Sequence, residues 1–121
     1  MRDPSDLRTL ETTDLVPVDL NSLLYHAERT IAAFRRFRGG AGDAAAAARF
    51  AKAAEDRRGA LLAAAYDPTD GFFYDVRWRN GERVTDRPSL AAAAPLYFGL
   101  ATPEQGRTVA VRLERDFFKP G

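Results

Sequence analysis

The chain has 121 residues, room for one domain, and its 45% hydrophobic and 29% charged shares are ordinary for a soluble globular protein. Eighteen basic against seventeen acidic side chains leave a net charge of +1, without the basic excess of a nucleic-acid or anionic-membrane binder. With no cysteine and one histidine, disulfide scaffolds, thiol catalysis, cysteine-ligated metals and imidazole-built zinc sites are excluded.

The start, Met1 to Asp6, has no apolar core of the kind a signal peptide needs, and no segment has the ~18 apolar residues that span a bilayer. Leu15-Val16-Pro17-Val18 reads as a short extended stretch, because Pro17 disfavours helix in the residue before it. Asp19 stands where an N-cap would, and Leu20, Leu23, Leu24, Ala27, Ile31 and Phe34 then recur at helical spacing. That stripe is the expected buried face, with Glu28, Arg29, Arg35 and Arg36 opposite and Gly39-Gly40 as the stop. Asp43 is the next expected N-cap, opening a helix to about Tyr66 with a narrow stripe of Phe50, Ala54, Leu61, Leu62 and Ala65. The short connection between the two favours an antiparallel αα-hairpin.

Asp67 to Gly71 is a turn, and the aromatic and β-branched run that follows ends at Arg79-Asn80-Gly81, a strong hairpin signal. A small β-hairpin of 72–78 with 83–86 is therefore expected, lying on the helices because two strands alone are marginal. Leu90 to Leu100 reads as a helix apolar on every side, kinked or started by Pro95. Thr102-Pro103-Glu104-Gln105 is a capping box with proline at the first helical position. The last helix should bury Val109, Leu113 and Phe117, and Lys119-Pro120-Gly121 should stop it. An all-apolar helix belongs inside a larger protein, and a domain this small can hardly surround one, so the chain is expected to be part of something larger.

Few residues suggest chemistry. Asp67, Asp70 and Asp75 fail the spacing of a calcium loop, since the glycine falls at position 5 and Thr69 is no carboxylate, and a turn explains them. Asp19, with Asn21 beside it, is the best local candidate for a substrate contact, although helix capping explains it completely and is the favoured reading. His26 lies beside the apolar stripe without a second ligand in helical register, and Ser22 and Ser89 have no partner base. Gly39, Gly40 and Gly42 lack the preceding strand and the Lys-Ser/Thr pair of a phosphate loop. The arginines at 35, 36, 38, 49, 57 and 58 are interleaved with Asp43, Glu55 and Asp56 and read as an ion-paired helix face.

Four blocks in order carry a more specific signal. Thr12-Thr13-Asp14-Leu15-Val16-Pro17-Val18-Asp19-Leu20-Asn21-Ser22-Leu23-Leu24 resembles the "T-x-I-V-P-V-D-L-N-x-L-L" stretch of the α,α-trehalases of glycoside hydrolase family 37. Asp70 to Trp78 is similar to that family's "D-G-x-Y-x-D-Y-D" hairpin, and Ser89 to Gln105 to its "A-A-x-x-P-L-Y-x-G-L-A-x-x-E-Q". Leu113 to Gly121 resembles the segment before its "G-G-L".

The resemblance implies an all-α fold, in which residues 1–121 supply about two of the six αα-hairpins of an (α/α)6 barrel, with the small β-hairpin near 72–86. It also implies trehalose as the disaccharide substrate of the complete family enzyme. Hydrolysis would invert the anomeric centre, with an aspartic acid protonating the glycosidic oxygen and a glutamate activating water. The family's acid segment would precede this chain, and its base and "Q-W-D" signature would follow it. No catalytic, cofactor-binding or metal-ligating residue is therefore assigned to any position, and the isolated chain is expected to be inactive. The charge balance and the lack of a spanning segment lead us to expect no nucleic-acid or membrane partner, and the resemblance leaves the compartment open between cytoplasm and periplasm or extracellular space. Two other readings stay open: a segment of another six-hairpin α-glucoside hydrolase, and a non-catalytic helical interaction module. The latter would self-associate through an apolar patch at Leu96, Phe98 or Phe117.

Overall fold

A computed structural model describes residues 15–86 and 88–118. The readings made on residues 1–14 and on Lys119 to Gly121 lie outside them. The order of elements is β1 (Leu15–Val16), α1 (Val18–Arg38), α2 (Asp43–Ala65), β2 (Tyr66–Asp67), β3 (Phe72–Phe73) and β4 (Val76–Arg77). A 3₁₀ turn at Leu90–Ala93, α3 (Ala94–Tyr97) and α4 (Pro103–Phe117) complete it. Helices dominate, as the periodicity predicts, with the strands confined to two-residue pieces.

α1 and α2 form the expected hairpin. Gly39 ends α1 in the left-handed conformation at φ 65°, and its N–H donates to the Arg35 carbonyl at 3.1 Å. Asp43 is the first residue of α2, with Gly42 in the cap position, so its carboxylate does not serve as the predicted N-cap. It accepts instead from the Gly40 N–H at 2.8 Å and from Arg35 and Arg38 at 3.0 and 2.7 Å, a clamp that locks the interhelical turn. On α2 the predicted stripe meets the core, with Ala54, Leu61 and Ala65 buried.

On α1 the predicted face is turned the other way. Val18, Ser22, Tyr25 and Ala32 are buried, whereas Leu20 is 50%, Leu23 47% and Phe34 57% exposed. Small side chains such as Ser22 and Ala32 let the α1 and α2 backbones approach closely, so this face packs and the leucine face is left outward. The helix is apolar on two opposite sides, and only one of them is covered among the described residues.

The β-rich segment also departs from a simple hairpin. β3 pairs antiparallel with β2 (Tyr66 with Phe73, Asp67 with Phe72), while β4 pairs with β1 (Leu15 with Arg77, Val16 with Val76). Across the Asn80-Gly81 turn, with Gly81 at φ +73°, the expected hairpin is present in short form: a bridge joins Val76 to Arg83, the Arg77 N–H donates to the Glu82 carbonyl at 2.8 Å and the Val84 N–H to the Asp75 carbonyl at 2.9 Å. The run expected as one strand over 72–78 is thus two short pieces that serve different partners. The apolar region after Pro88 is likewise shorter than a full helix. It is a 3₁₀ turn capped by Ser89 and then one α turn from Ala94 with Pro95 in its first turn, and Leu90 and Tyr97 are exposed rather than buried.

α4 begins with the complete capping box: the Thr102 side chain accepts from the Gln105 N–H at 3.1 Å, and Gln105 returns an acceptor to the Thr102 N–H at 3.0 Å. Val109 and Leu113 are buried as expected, but Phe117 remains 37% exposed. Its ring nonetheless stacks on Phe72, 6.4 Å between centroids and 6° from parallel. The core therefore centres on Phe72, Phe73, Leu100, Val109, Val18 and Ala65, where α1, α2, the strands and α4 meet.

Candidate functional site

The polar side chains worth testing as a site gather at the start of α1. Val16 and Val18 are held there by β4 and by Asp75, whose Oδ1 accepts the Val18 N–H at 2.8 Å. This long-range cap, 57 residues away in sequence, replaces the local one predicted at Asp19. Asp19 is exposed, and its carboxylate accepts from the Leu20 N–H at 2.8 Å. Asn21 faces inward: its side-chain amide donates to the Pro17 carbonyl at 2.9 Å and its Oδ1 accepts from Arg57 Nη1 at 2.7 Å. The two residues of the predicted substrate contact thus point to different surroundings.

Arg57 reaches across from α2 and is held on both sides, with its Nε donating to Glu28 Oε1 at 2.8 Å. Beside this pair lies a groove of about 450 Å³ between α1, α2 and the β1–β4 pair, with walls that include Val16, Leu61 and Val76. Its volume and apolar walls suit a side chain or a small ligand. The polar groups around Arg57, however, already bond one another.

A second knot ties the 66–86 segment to α4. The Tyr74 hydroxyl donates to Asp70 Oδ2 at 2.8 Å, and Arg112 Nη1 donates to the Tyr74 oxygen at 3.1 Å. The Arg112 guanidinium also lies over the Phe72 ring, 4.5 Å from its centroid. Burial, together with the hydrogen bond to Asp70, pushes the Tyr74 phenol above its ordinary pKa. Asp43 is shifted the other way: the Arg38 hydrogen bond, against the cost of burial and with help from Arg35 and Gly40, holds it well below the usual carboxylate range.

The three aspartates of the calcium reading do separate jobs. Asp67 Oδ1 accepts from the Thr69 and Asp70 N–H groups at 2.9 and 3.2 Å, which makes the predicted turn. Asp70 meets Tyr74, and Asp75 caps α1. Ser22 donates to the Val18 carbonyl at 2.7 Å, and Ser89 accepts from the Ala91 N–H at 3.2 Å. Among the described residues, neither serine bonds a base. His26 is exposed and its ring lies 5.1 Å from that of Phe98.

The arginines do not form one patch either. Arg35 and Arg38 grip Asp43, Arg57 grips Glu28, and Arg58 Nε donates to the Leu100 carbonyl at 2.8 Å. Among the described residues, no helix is long and apolar enough to cross a membrane. Sequence reasoning missed the capping role of Asp75, the Arg57 bridge and the Tyr74–Arg112 contact. Only the first and third had a signal, the acidic and aromatic block from Asp70 to Asp75. Taken together, these side chains fasten elements to one another.

A family model described as Trehalase matches residues 1–117. The periplasmic trehalase of Xanthomonas oryzae pv. oryzae is 35% identical over 121 residues, all of this chain and 20% of the relative. Those of Salmonella newport and Salmonella paratyphi B are each 34% identical over the same span and the same 20% share. The chain thus spans about a fifth of the length of the curated relatives it matches. On the strength of a match over nearly its whole length, the chain belongs to the trehalase family.

Proposed function

We propose that residues 1–121 form part of the catalytic domain of an inverting, trehalase-type glycoside hydrolase that splits trehalose into two glucose molecules. The Trehalase match over residues 1–117 is the observation that carries this reading. In it, the α1–α2 and α3–α4 pairs are about two of the six hairpins of an (α/α)6 barrel. The second apolar face of α1 supports that placement, because a helix apolar on two opposite sides belongs between neighbours. Leu20, Leu23 and Phe34 would then pack on other helices of the barrel.

The role of this segment is scaffolding. Asp19, Asp70 and Asp75 are each committed to backbone amides or to a neighbouring side chain, which suits structure better than proton transfer. An inverting hydrolase needs two carboxylates on opposite faces of the sugar, separated by room for a water molecule. On this reading, both come from parts of the domain other than these residues. The test is glucose release from trehalose by the purified 121-residue chain. None above a heat-treated control is expected, and release in proportion to added protein would overturn the scaffold assignment.

A further inference from the structure

An asparagine followed by glycine can close on itself. The glycine nitrogen gives its proton to a base and bonds to the asparagine Cγ, the Cγ–Nδ2 bond breaks, and Nδ2 takes a proton from water and leaves as ammonia. Water then opens the cyclic imide. Addition at Cγ leaves aspartate, and addition at the main-chain carbonyl carbon leaves isoaspartate, whose peptide link runs through Cγ. Glycine favours closure because no side chain crowds its nitrogen. Of the two asparagines in the chain, Asn80 precedes Gly81 and Asn21 precedes Ser22. Gly81 is there for the turn, since its φ of +73° is one that L side chains seldom adopt. The pair that suits the turn is thus also a labile one.

In the imide, Cγ takes the place of the proton on the Gly81 nitrogen. In the folded turn that proton points at the Arg77 carbonyl, to which Gly81 N–H donates at 2.8 Å. The Arg77 oxygen therefore stands in the direction from which Cγ must arrive. Asn80 Oδ1, for its part, accepts from the Glu82 N–H at 3.0 Å, which ties the amide to the residue beyond Gly81. Ring closure has to break both bonds. The contacts lie within residues 77–82, so they do not depend on what covers the rest of the domain.

We propose that Asn80 is a deamidation site held shut by its own hairpin, so that conversion to aspartate and isoaspartate proceeds from chains whose turn has opened. Isoaspartate lengthens the main chain of the turn by a carbon and adds a negative charge beside Glu82. The consequence reaches α1, because the Asp75 carbonyl pairs with the Val84 N–H across the hairpin while its side chain caps α1 at Val18.

The test follows residue 80 by peptide mapping, as the mass gain of amide-to-acid conversion, in the purified 121-residue chain at pH 8 in buffer and in concentrated urea. Two hydrogen bonds of ordinary net strength correspond to conversion roughly thirtyfold slower in buffer. Exchange of the Gly81 amide hydrogen should be slowed as well, since both reactions remove the same proton from the same opened turn. E82P removes the donor to Asn80 Oδ1 and should shrink the urea-to-buffer rate ratio severalfold. Equal rates in buffer and urea, whether the hairpin fails to form or forms without restraining the bond, would overturn the proposal. So would an E82P ratio equal to the parent's, or a Gly81 amide that exchanges as fast in the chain as in a peptide of residues 77–83. None of these readouts involves trehalose, so this inference and the functional reading fail separately.

Discussion

Replacing Phe72 by alanine is the sharpest probe of how the strands are held on the helices. Phe72 is fully buried, its ring edge-on to Tyr74 at 5.4 Å and stacked on Phe117 at 6.4 Å, with Arg112 over its face at 4.5 Å. Truncating a buried phenylalanine costs about 3–5 kcal/mol through lost transfer energy and the cavity left behind. The Arg112 cation–π contact adds on the order of 1 kcal/mol, since that side chain is only partly exposed. A loss of ~4 kcal/mol at a urea slope of ~2 kcal/mol per molar lowers the unfolding midpoint by roughly 2 M. The assay is urea unfolding followed by far-ultraviolet circular dichroism. F37A, at an exposed position of α1, serves as the control and should change stability by no more than about 0.5 kcal/mol. If F72A unfolds at the same urea concentration as F37A, the core is not where the structure puts it.

Three further outcomes follow from single residues. Gly71 has φ +66°, and a Cβ there would stand 2.5 Å from Thr108 Cγ2, so G71A should cost about 1–2 kcal/mol from backbone conformation alone and more from the clash. T108S, which deletes that methyl, should recover part of the loss in the double variant, as equilibrium unfolding of all three would show. D75A should remove about 0.5–2 kcal/mol by stripping the α1 cap, while D75N, which keeps an acceptor oxygen, should lose less in the same assay. Asp43 has its pKa lowered on folding, so the unfolded chain binds its proton first as pH falls. Its contribution is present above the ordinary carboxylate range and disappears as pH falls below that range toward the depressed native value. D43N should therefore be less stable than the parent at pH 6, with the gap in urea midpoint narrowing by pH 3. A gap independent of pH would contradict the arginine clamp.

Local signals in the sequence predicted local structure well. The Thr102–Gln105 box, the Gly39 stop and the α2 stripe at Ala54, Leu61 and Ala65 each act within a few residues, and each appears in the fold. The α1 face failed for a physical reason. Periodicity finds a helix and its most apolar side, but it cannot say which side this segment covers when two opposite sides are apolar. Among the described residues, the covered side is the one with Val18, Ser22, Tyr25 and Ala32. The Asp19 expectation failed differently. A cap delivered by Asp75 from 57 residues away leaves no trace in the neighbourhood of the helix start. At the site, composition and spacing identified the aspartates, and only their placement assigned them to a turn, a tyrosine and a helix cap.

The central claim is that these 121 residues are a working structural part of a trehalase-type hydrolase, and a chimera tests it most directly. The matched fifth of the Xanthomonas oryzae periplasmic trehalase would be exchanged for this chain, and glucose release from trehalose measured on the purified product. The account predicts a folded chimera that hydrolyses trehalose. A chimera with the host's helical content and melting behaviour that releases no glucose would contradict it.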